Sequence, residues 1–185
     1  MNRAYWSGRR KNMTKDYEEQ RGSILTGSTL SGSTWPESAD DRERRELLVY
    51  LKDRFGIPEA LFEDYIIYRK NKSWWLMRKS ASLEQARSLK VLRVGMRAFR
   101  QIGSFKKPTT RFIQVFGKKA SKGKVELEQE GLEALLQGKS IPASSGLENG
   151  YIILSLKGHV LGLGLLVNGK IISQIPKKAM KVLGF

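Results

Sequence analysis

Leu47, Leu48, Leu51 and Phe55 recur at the three- and four-residue spacing of one helix face. Ser38-Ala39-Asp40-Asp41 stand ahead of them, where Ser or Asp caps a helix and acids suit the positive end of its dipole. Gly56 stops the helix, and Pro58-Glu59-Ala60-Leu61-Phe62 reads as a short second turn. The period then changes. Tyr65-Ile66-Ile67-Tyr68-Arg69 and Ser73-Trp74-Trp75-Leu76-Met77 are strand-like runs, joined by a Lys70-Asn71-Lys72 hairpin turn. Neighbours on a strand point to opposite faces, so one tryptophan belongs to the core. The other is left to pack against a neighbouring domain or to stack on a base.

Leu83 to Ile102 fits two periods. Leu83, Ala86, Leu89, Leu92, Met96 and Phe99 fit a helix. Lys90 to Arg100 also fits a strand, with Leu92, Val94, Met96 and Ala98 on one face and Val91, Arg93, Gly95, Arg97 and Phe99 on the other. Gly95 costs about 1 kcal/mol inside a helix. The expectation is a short helix over 82–88 followed by a strand. Pro108 is expected to open another helix, with Phe112, Val115 and Phe116 on its apolar side and Gly117 beyond it. Val125-Glu126-Leu127 reads as a short strand, and 128–137 as an acidic helix ended by Gly138. Three strands follow, over 151–156, 160–167 and 170–175. Lys157-Gly158 and Asn168-Gly169 turn them, the second being the strongest hairpin signal in the chain.

Residues 1–37 read as a tail. The Gly/Ser/Thr tract over 22–34 buries too little apolar surface to offset its ordering entropy. Its outer end is basic and aromatic (Tyr5, Trp6, Arg9, Arg10, Lys11), which suits an RNA-seeking arm or an ordinary disordered terminus. The first residues lack the apolar core of a signal peptide, and no apolar run reaches the roughly 18 residues of a membrane span. A soluble cytoplasmic protein is expected, nucleolar in a eukaryote, without a membrane partner.

Charge changes the picture most. The chain has 34 Lys+Arg against 18 Asp+Glu, a formal +16. Residues 1–37 carry +2, 38–89 carry +2, and 90–185 carry +12. From Gln85 to Val125 there are twelve cations and no carboxylate, and from Asn149 to Phe185 five more, again with no carboxylate. Such concentration marks a binding face for a polyanion, a phosphate backbone first among them.

Few residues offer other chemistry. Cysteine is absent, which excludes disulfides, thiolate metal sites and a cysteine nucleophile. Gly138-Lys139-Ser140 lacks the earlier glycine of a P-loop, because Glu133 stands there. Gly162-Leu163-Gly164 lacks the third glycine and the following helix of a dinucleotide fingerprint, and more plainly permits a close approach of a strand or a ligand. His159, the one histidine, sits at a predicted turn. No cofactor and no metal are expected.

The strongest site signal is Lys106-Lys107-Pro108-Thr109-Thr110-Arg111. It sets three cations against a helix dipole, beside free N–H groups and two hydroxyls, the parts of an anion pocket. Lys118 and Lys119 fall at that helix's C-terminus, where the dipole favours them. Lys177 and Lys181, four apart beside Lys178, form a second candidate, and Arg93 with Arg97 on one strand face a third.

These motifs also resemble a known family. Val94-Gly95-Met96-Arg97, Phe105-Lys106-Lys107-Pro108-Thr109-Thr110 and Gly117 with Ala120 resemble the start of a PUA-type domain. Val125-Glu126-Leu127, Leu135-Leu136-Gln137-Gly138, Gly150-Tyr151-Ile152-Ile153, Leu161-Gly162-Leu163-Gly164 and Ile175-Pro176-Lys177 follow in the same order. The resemblance covers roughly residues 45–183. It is to the C-terminal PUA-like domain of the NOL/NOP/Sun family of RNA 5-methylcytosine methyltransferases, and in its arrangement to the Nip family of ribosome biogenesis factors. Beyond the disordered tail read over 1–37, which matches nothing in the family, it implies an α+β fold: a small α/β pre-PUA domain over 38–87 and a PUA-like mixed β-barrel over 88–185. It implies binding to RNA, rRNA before tRNA, as an accessory to ribosome assembly or rRNA modification. Lys177, Lys178 and Lys181 would touch RNA, and the Lys-Pro-Thr match carries over Lys107 and Thr109. The methyltransferases' catalytic domain has no counterpart, and their cysteine nucleophile is missing. The expectation is therefore a binding protein and not an enzyme. It would be a transient factor, a targeting subunit for a separate methyltransferase, or a stable ribosomal protein.

Overall fold

The chain divides into two units, Met1–Ser33 and Thr34–Phe185. A computed structural model describes residues 35–86, 94–144 and 146–176, all in the second unit. The expected tail, save its last three residues, lies outside the described residues.

A two-residue strand, β1 (Glu37–Ser38), leads into helix α1 (Asp41–Phe55). Asp40 is the cap, its carboxylate accepting from the Glu43 N–H at 2.6 Å. Gly56 ends the helix in the left-handed region at φ 63°, its N–H reaching the Leu51 and Lys52 carbonyls. A 3-10 turn, Glu59–Phe62, and the hairpin β2 (Tyr65–Lys70) and β3 (Ser73–Arg78) follow as the sequence pattern anticipates. After a single helical turn, α2 (Leu83–Ala86), come β4 (Met96–Ile102) and β5 (Phe105–Pro108). The five strands pair antiparallel in the order β1-β2-β3-β4-β5.

Two expectations fail in this region. Pro108 does not open a helix; it ends edge strand β5, opposite Phe99, where its missing N–H is tolerated. Thr109 is the cap of α3 (Thr110–Phe116), its hydroxyl accepting from the Phe112 N–H at 3.2 Å. Phe99 does not share a face with Arg97. The β3–β4 register slips by one between Trp74 and Trp75, leaving Ala98 as an extra residue, so both Ala98 and Phe99 enter the core. Gly95 sits at φ 65° just before β4, where a Cβ would lie 2.3 Å from the Leu76 carbonyl oxygen. The expected strand residues at 90–93 lie outside the described residues.

The second sheet begins with β6 (Lys124–Glu126), reached from α3 through a 3-10 turn, Gly117–Lys119. Helix α4 (Gln129–Leu136), the short β7 (Ile141–Pro142), β8 (Gly150–Leu156), β9 (His159–Val167) and β10 (Lys170–Ser173) complete it. The order is β6-β8-β9-β10-β7, with β6 parallel to β8 and the rest antiparallel, a mixed sheet as expected. The close approach expected at Gly162 is made by α3: a Cβ there would lie 2.8 Å from the Thr110 methyl.

Two apolar clusters flank this second sheet. The larger joins α1, the first sheet and α3 to Ile153 and Leu163. The smaller joins Ile152, Leu154, Leu161 and Ile171 to Leu132 and Leu135 of α4. Each fully buried side chain of this size contributes about 1.5–3 kcal/mol. Arg54 ties α1 to the second sheet, donating to the carbonyls of Tyr151 at 2.6 Å and Glu148 at 2.9 Å. Strands from both sides of residue 88 share the first sheet.

Candidate nucleic-acid interface

Lys106 and Lys107 stand next to each other on β5, so strand alternation sends their side chains apart. Lys106 turns toward α1 and pairs with Glu46, its ammonium 5.3 Å from the centre of the Trp74 ring. Lys106, and after it Arg42, hold the Glu46 carboxyl below its ordinary value. Lys107 donates to the Gln174 side-chain oxygen at 2.7 Å and lies 5.3 Å from the centre of the Tyr151 ring. Burial, and secondarily the neighbouring Arg100 charge, bring Lys107 down to about 8.

The other members of the expected pocket are dispersed. The Thr109 hydroxyl is used twice, accepting from the Phe112 N–H and donating to the Arg97 carbonyl at 2.7 Å. It thereby ties the start of α3 to β4. Arg111 is exposed on the first turn of α3 and makes no hydrogen bond or ion pair among the described residues. The two lysines lie on a strand and not at a helix start, so the cations do not converge on one set of free N–H groups. Arg97 is exposed on β4, its guanidinium 4.8 Å over the Trp75 ring. Trp74 is the buried tryptophan and Trp75 the half-buried one. Arg93, Lys177, Lys178 and Lys181 lie outside the described residues.

Sequence reasoning passed over Lys70 and Arg100. Both are exposed and lie in one cross-strand row with Ser73 and Lys107. A signal was available: β2 to β5 contain no Asp or Glu at all. Among the described residues no helix is long and apolar enough to cross a membrane.

An α+β chain with an antiparallel first sheet and a mixed second sheet is the arrangement expected of a pre-PUA layer followed by a PUA-like domain. Residues 122–181 match the family model of the methyltransferase RsmF PUA domain, so the resemblance read from the sequence holds over that segment. The chain is also similar to the ribosomal RNA small subunit methyltransferase F of Psychromonas ingrahamii (strain DSM 17664 / CCUG 51855 / 37), at 25% identity over 146 residues. That alignment covers 76% of this chain and 29% of the relative. The protein of the same name from Aeromonas salmonicida (strain A449) is 22% identical over 142 residues, 76% of this chain and 28% of the relative. The chain thus spans less than a third of the length of these relatives.

Proposed function

We propose that this chain is a non-catalytic RNA-binding module for structured rRNA, acting in rRNA modification or ribosome assembly. The observation that carries the reading is the match of residues 122–181 to a PUA domain of an rRNA methyltransferase. The +12 charge of residues 90–185 supports it, since phosphate contacts dominate affinity for nucleic acid. Lys177, Lys178 and Lys181 are the proposed principal contacts. Lys107, Arg111, Arg93 and Arg97 add phosphate contacts, Lys106 is held in reserve by Glu46, and Thr109 positions β4 against α3.

Salt titration of the full chain against rRNA fragments tests the reading. Affinity falls linearly on a log–log plot, by about 0.7–0.9 per neutralised phosphate. Lys177→Glu with Lys178→Glu weakens binding tenfold or more, about 1.4 kcal/mol per tenfold, with unfolding unchanged. Equal affinity in that double variant removes the C-terminal contact from the proposal. Lys106→Glu with Lys107→Glu tests β5 separately. A second reading, an RNA-targeting partner of a separate methyltransferase, is favoured by the names of the relatives. A methyltransferase that co-purifies with the chain supports it.

A further inference from the structure

The two hairpin turns of the second sheet stand at opposite ends of it, since β8, β9 and β10 run antiparallel. The β9–β10 turn carries the uncharged Asn168 and Gly169. Asn149 accepts there from the Asn168 N–H, and Glu148 beside it pairs with Arg54. The β8–β9 turn, Lys157-Gly158, is set differently. Strand β6 runs beside it, with Glu126 level with Ser155. The Glu126 carboxylate accepts from the Ser155 hydroxyl at 2.6 Å and, on its other oxygen, from the Gly158 N–H at 2.8 Å. Those two bonds, Ser155 first, hold the carboxyl below its ordinary value, with smaller contributions from the nearby Lys124 and His159. The 3-10 turn Gly117–Lys119 lies over the start of β9: a Cβ on Gly117 would be 3.3 Å from Val160 and 3.4 Å from Ile153. The connection from there to β6 is held along its length. The Ser121 and Lys122 N–H groups donate to the Phe55 carbonyl, and the Gly123 carbonyl accepts from the Ile153 N–H.

Cations gather where these pieces meet. Lys118, Lys119, Lys122, Lys124, Lys157 and His159 are all exposed, and their side chains make no hydrogen bond or ion pair among the described residues. Residues 110–125 and 156–172 hold no Asp or Glu. The C-terminal end of α3 accounts for Lys118 and Lys119. It does not account for Lys122, Lys124 or Lys157, and like charges assembled on one surface are stabilised by a polyanion. No exposed Phe, Tyr or Trp stands among these residues, so unpaired bases find little to stack on. A lysine ammonium is a compact charge suited to phosphate. A duplex keeps its base faces inside the stack and presents phosphates and 2′-hydroxyls. We infer that this end of the second sheet binds the phosphate backbone of double-stranded RNA, with Lys122, Lys124 and Lys157 as the contacts and Lys118 and Lys119 beside them. The inference rests on the RNA-binding reading above and assigns the duplex to residues other than those named there.

The test uses the full chain and a blunt RNA duplex of about 16 base pairs. One triple variant combines Lys122→Gln, Lys124→Gln and Lys157→Asn, the last because asparagine tolerates the φ of 48° at that turn. It weakens duplex binding tenfold or more and lowers the log–log salt slope by about 2–3. A second triple variant, Lys79→Gln, Lys139→Gln and Lys170→Gln, removes the same charge from exposed sites elsewhere and leaves affinity within about twofold. On the unaltered protein, bound duplex shields Lys122, Lys124 and Lys157 from acetylation by an activated ester and leaves Lys79, Lys139 and Lys170 reactive. That measurement depends on no variant's folding. Equal losses in the two variants, an unchanged slope in the first, or acetylation of the three lysines unaffected by duplex overturns this surface and leaves RNA binding standing. A wild type that binds the same RNA only as a single strand overturns the duplex assignment. Failure of the wild type to bind either form overturns the RNA-binding reading itself.

Discussion

In the second sheet, Ile152 and Leu154 of β8 pack into the smaller core while Ile153 between them packs into the larger. In the first sheet, Trp74 and Leu76 of β3 are buried while Trp75 and Met77, which alternate with them, are only half-buried. A strand covered on both sides becomes a near-continuous apolar run, as in Ile152-Ile153-Leu154. A strand covered on one side keeps a face on which polar and aromatic groups are available to a partner. The second sheet is therefore the scaffold that both cores grip, and in the first β3 keeps one half-exposed face.

Ile153→Ala breaks the scaffold side of this comparison. Urea unfolding should show a loss of about 2–5 kcal/mol, because a fully buried site between two packed layers collapses poorly. Met77→Ala on the open side of the first sheet should lose about 1 kcal/mol or less. Equal losses at the two positions would mean that the open face is covered in solution.

Thr109→Ala comes next, at about 1 kcal/mol, since the hydroxyl caps α3 and bonds to the Arg97 carbonyl. Thermal melts measure it, and Thr109→Ser restores most of the loss. A pH dependence tests the contact of β5 with the second sheet. Lys107 titrates near 8 against 10.5 for an unburied lysine. Between those values the unfolded chain holds a proton that the native chain has released. Stability therefore rises from about pH 8 to 10.5 and is flat below. Lys107→Met removes that rise, and a profile unchanged by the substitution would show that another group carries it.

Where one principle governed a segment, the sequence was enough to read it. Asp40, the leucines of α1 and Gly56 each point to the same helix, and Asn168-Gly169 to the same hairpin. The Lys106–Arg111 segment was misread because Pro108 suits both a helix start and the end of an edge strand. Only pairing with Phe99, across the β4–β5 hairpin, selects the second. The candidate site was legible as composition and not as geometry. A charge count finds Lys106 and Lys107, but not that Glu46, sixty residues away, attends to the first alone. The Trp75–Arg97 stack depends on register, which no local pattern reports.

The extra residue at Ala98 bears on how this strand tolerates changes in length. Arg97 and Arg100 are three apart, a spacing that in an uninterrupted strand sends one to each side. The added residue brings both to the open side. Deleting Ala98 alters no charge and removes only a methyl-sized side chain; Arg97 and Arg100 then stand two apart and stay on one side, with the ring of Phe99 inward between them. A one-position gap here would therefore take out the bulge without exchanging interior for exterior along the rest of β4.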